Sequence, residues 1–178
     1  MNKKIRWITE TAVMLALLIV LQALTKSAGQ LVTGSCVNAI LAMTVLVAGM
    51  DSGITVALVS PIMAYLLGIA PQLVTVPAIM AGNTVFVVLL YLLYGASPVR
   101  KIAAWLAAAA GKFAVLWLLV SKIICGLAAA PLMETGMLKE AMLTKLPAMF
   151  TWPQLGTALI GGAVALLAAP VVRKALHR

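Results

Sequence analysis

The chain is poor in the residues that carry catalytic chemistry. It has four acidic residues, one histidine and two cysteines in 178 positions. The histidine, His177, is the penultimate residue and belongs to a basic tail. No Ser-His, Cys-His or metal-ligand grouping can be assembled from the apolar segments, and none of them contains a pair of carboxylates. We therefore expect neither an enzyme nor a resident cofactor.

Other motifs are missing as well. Cys36 and Cys125 are not part of a CxxC pattern, so we expect two small buried residues and no metal site. No P-loop occurs, so any ATP-driven step must be performed by other chains. The net charge of +9 does not form a solvated basic face interleaved with aromatic residues, so nucleic-acid binding is not expected.

The chain is, by contrast, rich in apolar sequence. Apolar residues make up 64% of it, charged residues only 10%, and the mean hydropathy is +1.14. A soluble domain of this length could not bury so much apolar surface, so most of the chain must be surrounded by lipid. The pattern predicts an all-α membrane protein, a single domain of six transmembrane helices. The predicted spans are approximately residues 8–24, 35–48, 54–69, 78–94, 102–125 and 149–172.

The first apolar run is long enough to be a membrane span. It continues to about Thr25, which is longer than the apolar region of a signal peptide, so we expect a retained span.

The basic residues predict the orientation of the chain. They cluster on alternate connections, eight on one side against Lys26, Lys139 and Lys145 on the other, which predicts that both termini are cytoplasmic. The eight are Lys3, Lys4, Arg6, Arg100, Lys101, Arg173, Lys174 and Arg178.

The connection between the fifth and sixth spans has a helical pattern. Leu138, Met142 and Leu146 recur every four residues with charged residues between them. This spacing is typical of a short amphipathic helix at the outer surface. It is equally typical of a loop that packs down on the bundle.

Lys112 is the notable charge of the predicted membrane region. It follows Lys101 by 11 residues, about 16 Å along a helix axis, which places it near the bilayer midplane. No carboxylate lies at the same depth. Lys112 is therefore neutral, or bonded internally to carbonyl or amide groups, or in contact with an anionic group of a ligand. Lys122 lies near the outer interface, where snorkelling suffices, and is the weaker candidate.

Several amide side chains crowd the predicted outer half. Such residues either bond across helices or line a pocket that opens outward. With the two lysines and a tryptophan they form the predicted substrate-binding set: Gln30, Asn38, Gln72, Asn83, Lys112, Lys122, Trp152 and Gln154.

Alanine pairs four residues apart occur in three spans. Small residues at this spacing let helix backbones approach closely in lipid. From the residues alone, internal packing is the expected role. The pairs are Ala12 with Ala16, Ala103 with Ala107, Ala104 with Ala108, and Ala165 with Ala169.

Short segments distributed over all six spans form a combination typical of one family. They are Thr11–Ala16, Gly34–Ala39, Ser60–Pro61 with Gly68–Ile69, Gly82–Asn83, Lys112–Phe113, and Gln154–Thr157 with Gly161–Gly162. With them, the chain resembles over essentially its whole length the substrate-binding S components of energy-coupling factor transporters, which import vitamins.

The resemblance implies a six-helix fold with an outward-facing substrate site in the cell membrane of a prokaryote. It also implies two kinds of partner, a transmembrane coupling subunit and two cytoplasmic ATPases. Ala12 and Ala16 match the family's Ala-x-x-x-Ala motif, which docks on the coupling subunit, and residues 26–34 and 127–147 match segments that cover the site. The resemblance does not identify the substrate, although a midplane lysine and outer amides suit a small ring-containing or carboxylate-bearing metabolite.

Two other functions fit the same sequence. One is a stand-alone secondary transporter or channel for a small, anionic solute, with Lys112 in its pathway, although no repeat relates the two halves. The other is a membrane scaffold or assembly factor without a ligand.

Overall fold

The computed structural model describes residues 2–70 and 72–176, and these residues form helices and short connections without a strand. His177 and Arg178, which enter the predictions above, lie outside the described residues. The helices are α1 Lys3–Thr25, α2 Gln30–Ala48, α3 Met50–Leu66, α4 Val76–Leu93, α5 Pro98–Leu116, α6 Ala129–Glu134, α7 Met142–Met149 and α8 Trp152–Ala175. A π-helical stretch, Trp117–Leu127, extends α5, and 3₁₀ turns occur at Lys26–Ala28 and Leu73–Thr75.

Five helical segments of the described chain are long and apolar enough to cross a membrane. They are Lys3–Ala28, Gln30–Ala48, Leu73–Leu93, Pro98–Leu127 and Met142–Ala175. The sixth apolar helix, α3, has 17 residues. These helices confirm the predicted α-helical class and are consistent with a multi-pass membrane protein.

Helix boundaries differ most from the predicted spans at the first connection. The sequence predicts a loop over residues 26–34, but α2 begins at Gln30. Gly29 has a φ of +87°, a backbone conformation that glycine adopts readily, and it turns the chain sharply enough to start the next helix at once. The Thr33 hydroxyl then donates a 2.7 Å hydrogen bond to the Thr25 carbonyl and fixes the two helix ends together.

Six helices, α1 to α5 and α8, run alternately between two ends of the bundle. One end, here called the basic end, brings together the start of α1, the α2–α3 turn and the ends of α4 and α8, represented by Lys3, Gly49, Tyr94 and Arg173. The other, the cavity end, brings together the remaining connections, represented by Lys26, Gly29, Gly68 and Met149.

The core of the half nearer the basic end is tightly packed. It is a continuous apolar cluster in which Leu41, Phe86 and Ala108 are fully buried. Outside this core, at the basic end itself, an open depression of about 770 Å³ lies between Lys3, Glu10 and Arg173.

Helix α8 packs most extensively against α2, and Gly161, which lies level with Asn38, allows this approach. A Cβ atom at Gly161 would lie 2.6 Å from the Ala39 backbone nitrogen, so no larger residue fits without moving a helix.

The connection before α8 packs down on the bundle and also contains a short helix, α7. Leu138 and Leu146 are buried in a second apolar cluster with Leu116, Val120 and Ile124 of α5 and its π-helical extension. A short helix and a segment packed on the bundle are therefore both present, although Leu138 precedes the helix, and the position of α7 at the outer membrane surface stays a prediction. Leu138 and Leu146 pack against the bundle, because the neighbouring stretch of α5 and its π-helical extension has an apolar face.

The two cysteines are free thiols and only half-buried. The sequence prediction of two buried cysteines is therefore too strong. Cys36 lies in α2, the helix that packs against α8, and Cys125 lies in the π-helical extension of α5.

Candidate polar cavity

A cavity of about 340 Å³ lies at the cavity end of the bundle. Its walls come from six helices, α1 to α5 and α8, and from the turn between α1 and α2. Binding pockets for small molecules have volumes of about 300–1,000 Å³. The cavity is therefore large enough for one small metabolite.

Lys112 lies at the wall of this cavity in the middle of α5. Its side chain is 2% exposed, and its Nζ donates hydrogen bonds to Asn38 Oδ1 at 2.6 Å and to Asn83 Oδ1 at 2.7 Å. Nζ also lies 5.8 Å from the ring centroid of Phe86, within cation–π distance. A protonated lysine has three N–H donors, so the two amides leave one donor available.

The amide groups around Lys112 are held in place by other polar groups. Asn38 Nδ2 donates to the Gly34 carbonyl at 2.9 Å and to Thr157 Oγ1 at 3.1 Å. Thr157 Oγ1 in turn donates to the Gln154 carbonyl at 3.1 Å. Because the amide nitrogen of Asn38 makes these two bonds, its amide oxygen faces Lys112 and accepts the hydrogen bond that Nζ donates.

Gly82 brings Asn83 into reach of Lys112. A Cβ atom at Gly82 would lie 2.8 Å from Leu116 Cγ, so α4 and α5 approach closely because this position carries no side chain. Asn83 follows directly and turns inward from α4, with 1% of its side chain exposed. Gly82 and Asn83 together therefore complete the polar group around Lys112.

Hydrogen bonds join the helix ends at the mouth of the cavity. Lys26 Nζ donates to the Leu67 carbonyl at 2.8 Å and links the end of α1 to the end of α3. Gln30 Nε2 donates to the Met149 carbonyl at 2.6 Å and links the start of α2 to the chain just before α8. Of the two predicted covering segments, residues 26–34 line the cavity directly, whereas residues 127–147 are followed by the lining residues Met149 and Phe150.

The described lining is basic. It contains two lysines, Lys26 and Lys112, and no aspartate or glutamate. In the described part of the chain, the ion pair that the structure shows joins Arg6 to Glu10 near the basic end. No carboxylate of the described lining therefore lies beside either lysine.

The structure brings together five of the eight residues that the sequence predicts for substrate binding. Gln30, Asn38, Asn83, Lys112 and Gln154 all line the cavity. Whether they bind a substrate stays a prediction.

The other three predicted residues do not line the cavity. Gln72 belongs to the connection before α4, where its carbonyl accepts a bond from Thr75 Oγ1. Lys122 is exposed, with its Nζ 5.0 Å from the Trp117 ring centroid. Trp152 is 72% exposed and packs against Phe113 at 5.3 Å between ring centroids. Even in a regular α-helix, ten residues turn Lys122 about 80° away from the face that carries Lys112, and the π-helical stretch after Leu116 turns it further.

Two polar residues of the lining lie outside both the predicted binding set and the predicted covering segment 26–34. Gln22 of α1 is 4% exposed and Ser60 of α3 is 1% exposed, and both lie at the cavity. The available signal was a polar residue within an otherwise apolar run. Gln22 stands three residues before the end of α1, and Ser60 directly precedes Pro61.

The alanine pairs differ in their surroundings. Ala104, Ala108, Ala165 and Ala169 are buried inside the bundle. Ala12 and Ala16 are exposed on α1, a peripheral helix. Internal packing therefore accounts for these four alanines, whereas Ala103 is exposed and Ala107 is half-buried. The docking role of the α1 pair stays a prediction. Large apolar residues flank this pair on the exposed side of α1: Ile5, Ile8, Val13, Leu17, Val20 and Leu24.

No protein-family model matches the chain, and no curated protein or solved structure matches it significantly. The described residues form a helical bundle with membrane-compatible helices and a polar cavity, lined by two lysines, at one end.

Proposed function

We propose that this chain is the substrate-capturing S component of an energy-coupling factor importer in a prokaryotic cell membrane. In this proposal six helices cross the bilayer, both termini are cytoplasmic, and the cavity end faces outward. Lys112, buried at the cavity with one donor to spare, is the observation on which the proposal chiefly depends.

The distribution of charge supports this orientation. The predicted cytoplasmic basic residues belong to the segments that meet at the basic end, as Lys3, Arg6 and Arg173 show. The positive-inside rule places such an end in the cytoplasm. The cavity, at the opposite end, then takes its ligand from outside the cell.

The short helix α3 is compatible with a sixth span. Its 17 residues extend about 26 Å, slightly less than the hydrocarbon thickness of about 30 Å. Such a mismatch is accommodated by local thinning of the bilayer or by neighbouring helices. Helix α3 packs against α1, α2 and α4, so much of its surface faces protein.

The chemistry of the cavity supports a small anionic substrate. A carboxylate accepting the third N–H of Lys112 compensates the buried charge and forms a charge-assisted hydrogen bond. The apolar lining, including Val37, Ile79 and Phe150, suits the remainder of such a molecule. We therefore propose a carboxylate-bearing metabolite as the substrate.

The partners in this proposal are a transmembrane coupling subunit and two cytoplasmic ATPases. The chain has no nucleotide-binding motif of its own. The exposed Ala12 and Ala16 flank the middle of α1, with Ala12 in the half that begins at the basic end, where cytoplasmic ATPases act in this proposal. A helix of the coupling subunit can approach α1 closely there, because these side chains are small.

Copurification tests this function. A tagged wild-type chain, isolated from its own host, is expected to bring down a second membrane protein and two ATPases, and an Ala12→Leu/Ala16→Leu variant is expected to lose them. The control is Ala103→Leu/Ala110→Leu, which enlarges two exposed alanines of α5 and should keep the complex. The melting temperature of all three isolated proteins should be similar.

Two results would oppose the proposal. A wild-type chain that transports a solute after reconstitution without other subunits is a stand-alone carrier. A docking variant that keeps both the complex and uptake shows that Ala12 and Ala16 do not form the interface.

A further inference from the structure

We infer that Gln22 and Ser60 form a second polar contact for the captured molecule and select for an N–H or O–H group on it. This inference rests on the proposed capture function and narrows its substrate class. The substrate is then a small monocarboxylate with a hydrogen-bond donor separate from the carboxylate.

Both side chains are buried and unsatisfied. Gln22 is 4% and Ser60 is 1% exposed, and both line the cavity. Gln22 Oε1 and Ser60 Oγ have no hydrogen-bond partner among the described residues. Buried polar atoms normally have partners, and an exception at a cavity calls for a specific explanation. A ligand group that fills the cavity supplies one.

The two residues lie at similar depth, because α1 and α3 run parallel in a constant register. Near the basic end Thr11 Oγ1 donates to Ser52 Oγ, and at the cavity end Lys26 Nζ donates to the Leu67 carbonyl. In both pairs the residue numbers differ by 41. Ser60 is therefore level with position 19 of α1, about 4.5 Å below Gln22 at 1.5 Å per residue.

The polar group at Lys112 lies at the same depth. The hydrogen bond between Thr33 and Thr25 aligns the antiparallel helices α1 and α2. Asn38 lies five residues beyond Thr33 and is thus level with position 20 of α1. Since Asn38 bonds directly to Lys112, the lysine and the pair of Gln22 and Ser60 are within about one helical turn of each other in depth.

The two polar groups belong to opposite walls. Helices α1 and α3, which carry Gln22 and Ser60, pack against each other, whereas α5, which carries Lys112, packs against α4 and α8. One wall offers a cationic donor, and the other offers a carbonyl acceptor and a hydroxyl that donates or accepts. A molecule spanning the cavity therefore needs an acceptor at one edge and a donor at the other.

Matched pairs of probes test the inference. The probes are small monocarboxylates bearing a hydroxyl or amino N–H group, each paired with its O- or N-methylated counterpart, and affinity is measured by calorimetry with the purified protein. We expect the wild type to prefer the donor form by about tenfold or more, because the methylated form leaves Gln22 unpaired. Gln22→Met should weaken binding of the donor form to the level of its counterpart, and leave the counterpart's affinity unchanged.

A second variant and a matched control accompany this experiment. Ser60→Ala should reduce the same preference by a smaller factor. Thr44→Val also removes a buried hydroxyl, but that hydroxyl donates to the Ile40 carbonyl within its own helix. This variant should therefore keep the full preference, and all variants should elute as single species without ligand.

The outcomes separate this inference from the capture function. Equal affinity for the paired probes overturns the inference, since water then satisfies Gln22 and Ser60. Equal weakening of both probes by Gln22→Met also overturns it and indicates a packing role. If monocarboxylates bind in a Lys112-dependent manner without donor preference, the capture function stands and only this inference fails. If no monocarboxylate binds, the proposed substrate class fails as well.

Discussion

The two halves of this bundle consist of the same helices but differ in how closely those helices pack. In the core near the basic end, glycine and alanine let helices approach closely, as Gly53 and Ala108 show, and the open depression of about 770 Å³ at that end lies outside this core. Near the cavity end the same helices enclose about 340 Å³ and direct polar side chains into it. The comparison teaches that the packed half fixes helix positions, and that the other half can then leave space unfilled without collapsing.

Polar groups are distributed according to this difference. In the packed half a buried hydroxyl bonds to its own helix, as at Thr44, or to one neighbouring hydroxyl, as from Thr11 to Ser52. In the cavity half a larger group of bonds runs between helices, as from Lys112 to Asn38 and Asn83. Interhelical bonds of this kind position donors and acceptors for a ligand, at the expense of apolar packing.

The largest effect is expected from enlarging Gly161, at the contact between α2 and α8. Gly161→Val puts side-chain atoms where the α2 backbone lies, with Ala39 N only 2.6 Å from the first of them. Since backbone cannot yield as a side chain does, we expect a loss of about 3 kcal/mol or more and little monodisperse protein in size-exclusion chromatography.

Gly156→Ala is the matched control on the same helix. A Cβ at Gly156 meets nothing within 4 Å, so this variant should be as stable as the wild type or slightly more stable. Normal yield and melting temperature for Gly161→Val would show that α2 and α8 are not packed as described.

A smaller effect is expected from removing an amide in the cavity half. Asn83→Leu takes away one of the two oxygens that accept bonds from Lys112. A hydrogen bond to a buried charge contributes about 2 kcal/mol, so the melting temperature should fall. The neighbouring Thr84 has a buried hydroxyl without a partner among the described residues, and Thr84→Val should be neutral or stabilising.

A double-mutant cycle sharpens this test. If Asn83 acts through Lys112, the combined Asn83→Leu/Lys112→Met variant should lose less stability than the sum of the single losses. Additive losses would mean that the two side chains do not interact.

The smallest effect is expected at the cavity mouth. Lys26→Met removes the bond to the Leu67 carbonyl, and because Lys26 is exposed the loss should not exceed about 1 kcal/mol. Amide hydrogen exchange should accelerate in the connection at residues 26–29 and remain unchanged in α8. Acceleration throughout the bundle would contradict the separation into a packed half and an open half.

The sequence predicts the helical class well, because long apolar runs leave few alternatives in lipid. It also singles out Lys112, Asn38 and Asn83, since polar residues in apolar helices are rare enough to notice. The sequence does not show which side chains of different helices face each other. Lys122 and Lys112 lie on one continuous helical segment, yet only Lys112 lines the cavity.

Gln22 is the opposite case, a residue that lines the cavity although the sequence analysis does not single it out. It lies in the first apolar run, where a single amide is easily assigned to a helix end near the interface. Its burial depends on the register of α1 against α3, which is set by distant pairs such as Thr11 with Ser52. No local pattern contains that information.

The most direct test of the central claim is native mass spectrometry of the chain purified from its host membrane. The wild type and Lys122→Met are predicted to retain one small molecule of the same mass, and Lys112→Met is predicted to lose it. A wild-type chain without a bound molecule, or an equal retained mass in the Lys112→Met protein, would contradict the assignment of this cavity as a capture site.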